Sequence, residues 1–182
     1  MSTSTATMSL DAREHGLLVR VLAAGAVVGI LDITYAWVVY SFLLGKATVI
    51  QVPQSIASGL LGKAAYSGGL ATASLGMLLH FTIAYTWTCV YLVLARISLD
   101  LRRLLATEHG VLKVGMTFGA LMWLVMDLIV LPLSHARPAP IASWPFVTQL
   151  VWHAVGLGVP LAFIVRDGGA SASAWDLDSR GR

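Results

Sequence analysis

Residues 70–95 read LATASLGMLLHFTIAYTWTCVYLVLA, a stretch with no Asp, Glu, Lys or Arg and one histidine, His80. About 20 helical residues cross a hydrocarbon core of roughly 30 Å, so this run is long enough to span a bilayer. No water-soluble helix needs so long an uncharged stretch. Three more runs of the same kind flank it: Leu17–Leu44, interrupted by Arg20 and Asp32, then Val111–Leu133 and Phe146–Val165.

Composition agrees with this reading. Only 12% of the 182 residues are charged, against roughly 25% in a soluble domain. That charge is too sparse to cover a surface facing water, so the bilayer itself is the expected main partner. The formal charge of +3 does not indicate nucleic acid, because the basic residues stand at the ends of apolar runs and form no patch. Cys89 is the single cysteine, which excludes an intramolecular disulfide and a CxxC redox pair.

The expected fold is therefore all-α: a polytopic four-transmembrane-helix up-down bundle. Its spans are about 17–44, 70–95, 111–133 and 146–165, within a membrane domain of 16–166. Residues 1–15 and 167–182 are polar and rich in small residues, as disordered cytoplasmic ends are. The first run is too long for a signal-peptide core and has Asp32 inside it, so it reads as an anchor. With the N-terminus inside, Arg13, Arg20, Arg96, Arg102, Arg103, Lys113, Arg166, Arg180 and Arg182 are cytoplasmic. Only Lys46, Lys63 and Arg137 are outside. The positive-inside rule then gives an N-in, C-in topology.

Between the first two runs, after Pro53, Ile56, Ala57, Leu60, Leu61, Ala64 and Ala65 recur at helical spacing, opposite Ser55, Ser58, Gly62, Lys63 and Tyr66. This pattern predicts a short interfacial amphipathic helix. The outer loop 134–145, with Pro138, Pro140 and Pro145, is expected to be extended and stiff. Pro160 removes a backbone donor from the fourth run, and a local kink is the ordinary result.

Four ionisable residues lie inside the runs: Asp32, His80, Asp127 and His153. A charge at the bilayer centre costs about 2.5–3.5 kcal/mol on insertion scales, so such residues normally face a bundle interior and mark a site or a partner. Estimated depths allow all four to meet in the middle-to-outer half of one bundle. Gln54, Tyr35, Thr82 and Gln149 are candidates to support them. Gly25-x3-Gly29 and Gly115-x3-Gly119 are helix-packing steps, the first offering a close-packing face for a second copy.

Several readings are open. Aspartates and histidines within reach of each other can relay protons, because histidine titrates near neutrality. This favours proton-linked transport or ion handling, and four helices are few for transport, so a homo-oligomer or larger membrane complex is expected. Two imidazoles and two carboxylates also suit a divalent metal, though no HxxxH spacing supports one. A haem b could lie between His80 and His153, which requires equal depth. A further alternative is a non-catalytic accessory subunit of a membrane complex. The structural alternative pairs Asp32 with His80 and Asp127 with His153, purely to hold helices together. No GxSxG, HExxH or GK[ST] phosphate loop is present, so nothing points to an enzyme.

The phrase QSIASGLLG at 54–62, followed by LG…LHF and MDLIVLPLS, resembles a pattern of uncharacterised bacterial four-helix inner-membrane proteins. The resemblance covers most of residues 25–165. It implies an inner-membrane location and carries no chemistry. On the matching positions it draws attention to Gln54, His80 and Asp127.

Overall fold

The computed structural model describes residues 3–136, 141 and 143–166, with side chains described from His15 onward. The C-terminal tail and most of the proline-rich stretch 137–142 lie outside the described residues. Every described secondary-structure element is helical.

Helix α1 (Thr3–Ala36) begins inside the segment expected to be disordered and continues as a π-helix, Trp37–Leu43. Helix α2 (Gln51–Leu61) passes into a 3₁₀ turn, Gly62–Ser67. Then come α3 (Gly69–Ile97), α4 (Leu99–Leu105) and α5, the continuous helix Glu108–Leu133. The last is α6, the continuous helix Trp144–Arg166. Four of these, His15–Leu43 of α1 with α3, α5 and α6, have the length and apolarity needed to cross a membrane. Their most apolar windows are only 28–33% buried inside the chain, so most of each apolar face is left for lipid or a partner.

Local chemistry sets the breaks. Ser98 Oγ accepts from the Leu101 N–H at the start of α4, and Thr107 Oγ1 accepts from Gly110 N–H at the start of α5. Both are N-cap bonds that satisfy donors a helix start leaves unpaired. Gly62 ends α2 at φ +57°, a conformation that L side chains rarely adopt.

Helix α1 packs on α3 and α6, and α5 packs on α6. Helices α3 and α5 meet through aromatic edges: Phe118 stands 5.0 Å from Tyr91 and 5.9 Å from Trp87, ring centre to ring centre. Around this contact Val111, Leu157, Leu161 and Ala162 form the most enclosed part of the core.

The glycine steps work within the chain. A Cβ on Gly25 would enter the Tyr85 ring, and one on Gly29 would enter the Phe81 ring. The α1 glycine face expected to receive a second copy is therefore covered by α3. Gly115 and Gly119 lie against the backbone of α6 at Gly158 and His153. Small residues let helix backbones approach closely, which here fixes α6 tightly on α5.

Helix α2 is seated differently from the pattern read in the sequence. Leu60 and Leu61 are exposed, whereas Val52, Pro53, Gln54, Ala57 and Ser58 are buried. The reason is a backbone contact: Gly76 of α3 leaves room for the Pro53 carbonyl, which a Cβ there would strike. That approach turns the Gln54 and Ser58 side of α2 into the protein. Gln54 Nε2 then donates to the Gly69 carbonyl at 3.0 Å and to Thr72 Oγ1 at 3.2 Å. At the other end, His135 N–H donates to the Gly59 carbonyl at 3.1 Å. Periodicity counted apolar side chains, and the contact that orients the helix is made by backbone.

Candidate functional site

A cavity of about 450 Å³ opens among α1, α2, α3, α5 and α6. Its walls are largely apolar, including Ile33, Ile56, Ile83 and Met122. Asp32, His80, Asp127 and His153, one from each long helix, line it together with Gln149 and Tyr40. Exposed Lys46 and Tyr66 line it from the α1–α2 connection and the 3₁₀ turn.

Asp32 lies between the two histidines. Its Oδ2 is 4.0 Å from His80 Nδ1, and its Oδ1 is 3.8 Å from His153 Nε2. The carboxylate is shared, in place of the two separate Asp–His pairs considered from the sequence. Among the described residues Asp127 is 7% exposed and makes no hydrogen bond or ion pair.

The far side of each imidazole decides how the ring is protonated. His80 Nε2 is 2.8 Å from the Gly29 carbonyl, and His153 Nδ1 is 2.9 Å from the Gln149 carbonyl. A carbonyl oxygen only accepts, so each of these nitrogens carries the hydrogen. Proton positions are assigned here from the partners. In the neutral rings the bare nitrogens are then His80 Nδ1 and His153 Nε2, and both face Asp32. Two lone pairs and a carboxylate converge with no donor between them. An acceptor without a donor is costly in an enclosed place, so this arrangement favours a hydrogen-bond donor in the cavity.

Helix geometry holds these groups in place. Gly29, whose carbonyl anchors His80, lies one turn before Asp32 on α1, so α1 contacts both sides of that ring. Asp127 lies in a π-helical segment, Met126–Val130, and His153 in another, Trp152–Gly158. A π-turn widens the helix and is found frequently at functional sites. The second segment ends just before Pro160, whose ring lacks a backbone donor, so the disturbance expected there is a widened turn. No residue signature marks a π-turn, and these two were not foreseen.

The proposed supporting residues divide. Gln149 lines the cavity and supplies the carbonyl for His153. Gln54 is buried and holds α2 to the start of α3, away from the cavity. Tyr35 donates to or accepts from Thr148 Oγ1 at 2.8 Å and stacks on Trp152, ring centres 5.3 Å apart. It braces α1 against the helix that carries His153. Thr82 faces outward, its hydroxyl turned to the Leu78 carbonyl. Lys46 and Tyr40 were not singled out from the sequence as parts of a site, whereas residues 53–66 were expected to stand over it, and Ser55, Ile56 and Tyr66 of that segment line the cavity. Ser58, read there onto the outer face of α2, is buried at the cavity.

No family model, no curated protein and no solved structure matches this chain. Among the described residues no three His, Cys, Asp or Glu side chains are grouped closely enough to hold a metal ion.

Proposed function

We propose that this chain is an integral protein of a bacterial inner membrane, N-in and C-in, that binds a small solute and exchanges protons at Asp32, His80 and His153. Proton-linked transport is the activity such a site serves. The observation carrying the reading is the shared carboxylate: two imidazoles, each fixed by a backbone carbonyl, turn their bare nitrogens onto Asp32 beside a cavity. Intramembrane ionisable groups of this kind commonly mark proton relays. The cavity volume falls within the roughly 300–1,000 Å³ of small-molecule sites.

In this reading the chain works as an assembly of more than one copy, through a surface other than the Gly25–Gly29 face, which Tyr85 and Phe81 occupy. A haem between His80 and His153 is disfavoured, because the Asp32 carboxylate lies between the two rings and His80 Nε2 is turned to Gly29. An accessory-subunit role draws support only from the exposed apolar faces, which lipid explains equally well.

The test is dissipation of an imposed pH gradient across vesicles holding the purified protein and an internal pH dye. Wild type is expected to carry proton flux, while Asp32→Asn and His80→Ala elute and melt like wild type and carry none. If both variants fail to fold, the residues are structural and the proposal falls. An absorbance spectrum and metal analysis of the same sample decide the haem and metal alternatives.

A further inference from the structure

The solute-binding reading leaves open what chemistry the cavity selects. We infer that it selects a small primary amine in its protonated form with an apolar body: an organic monocation seated with its ammonium among Asp32, Asp127 and the bare nitrogens of His80 and His153. This inference rests on the solute-binding reading and adds the ligand class to it.

The first argument is hydrogen-bond inventory. The groups nearest Asp32 are acceptors as the neutral rings are fixed, with His80 Nδ1 and His153 Nε2 facing its two carboxylate oxygens, while Tyr40 and Gln149 line the cavity beside them. An alkylammonium offers three donors and no acceptor, the complementary set. A carboxylate or phosphate in the same place would meet only lone pairs and negative charge.

The second argument is Asp127. Asp127 as a residue is 7% exposed, lines the cavity and makes no hydrogen bond or ion pair among the described residues. A carboxylate that stays ionised in so enclosed a place calls for a cationic partner. The π-turn at Met126–Val130 places it there.

The third argument is the rest of the wall. Ile33, Ile56, Ile83, Met122 and Trp87 surround the polar end with apolar and aromatic surface, which suits a hydrocarbon or aryl body and not a hydrated metal ion. Spacing agrees, since Asp32 stands 3.8–4.0 Å from the two nitrogens, too far for a direct hydrogen bond. Lys46 lines the cavity too but is exposed, so water screens its charge.

Isothermal titration of the full-length protein in lipid nanodiscs tests this with three probes sharing one skeleton: benzylamine, benzyl alcohol and benzoate. Benzylamine should bind at least about 10-fold tighter than benzyl alcohol, the worth of a charge-assisted hydrogen bond, and benzoate should give no heat. Asp127→Asn should weaken benzylamine by about 10-fold or more and leave benzyl alcohol unchanged. Equal affinity for amine and alcohol, or tighter binding of benzoate, overturns the ligand class and leaves the solute-binding reading standing. Absence of binding by all three overturns both. The three-probe comparison on wild type needs no variant to fold.

Discussion

Replacing Gly119 by alanine tests the link between helix packing and site geometry. A Cβ at Gly119 would lie 2.0 Å from the His153 carbonyl oxygen, 2.8 Å from its carbon and 3.0 Å from Ala154 Cα. Relief takes a shift of about 1.4 Å, and since the obstacle is backbone, no side chain can swing aside to supply it. Overpacking costs about 1–3 kcal/mol, and a backbone clash of this depth belongs at the upper end. Alanine also gains up to about 1 kcal/mol over glycine in a helix, which leaves a net loss near 2 kcal/mol. Gly16→Ala is the matched control, because nothing lies within 4 Å of its Cβ. It receives the propensity gain alone. The two variants should therefore differ by about 3 kcal/mol, which for a chain of this size is roughly 6–12 °C in melting temperature. Thermal unfolding of both in one detergent reads this directly. Because the displaced backbone carries His153, Gly119→Ala should also weaken benzylamine binding, which Gly16→Ala leaves intact. Refutation is simple: Gly119→Ala melting at or above Gly16→Ala means α5 and α6 are not in the contact described.

Other expectations follow from the same packing. Gly76→Ala should push α2 away from α3, because its Cβ meets the Pro53 carbonyl, and a cysteine placed at buried Ser58 should then react faster with maleimide. Gln54→Leu removes the donor that serves Gly69 and Thr72, and should lower stability by about 1–3 kcal/mol without changing benzylamine affinity. A C-terminal fluorescent-protein fusion should fluoresce while an alkaline phosphatase fusion at the same end stays inactive, as a cytoplasmic C-terminus requires.

The sequence revealed the long helices because a bilayer-length apolar run has few other uses, and it revealed the four ionisable residues because each stands out in such a run. It could not reveal how they pair. Asp32 and His80 lie in different runs, and whether Asp127 or Asp32 meets His153 depends on helix rotation. That rotation is set by the approach of Gly119 to the His153 backbone and of Gly29 to Phe81. The seat of α2 was not legible for a related reason. Hydrophobicity groups Leu60 and Leu61 on one face, but it does not show that this face stays exposed while polar Gln54 turns into the protein. The π-turns at Asp127 and His153 are backbone features with no side-chain pattern to betray them.

The most direct test of the shared-carboxylate site is nitrogen-15 NMR of histidine-labelled protein, with His80→Gln and His153→Gln used to assign the two rings. In the neutral state His80 should carry its hydrogen on Nε2 and His153 on Nδ1, leaving the nitrogens that face Asp32 bare. A neutral ring with its hydrogen on the Asp32 side, His80 on Nδ1 or His153 on Nε2, would mean that Asp32 is merely accepting an ordinary hydrogen bond. The convergence of acceptors on which the proposed proton and cation binding rests would then not exist.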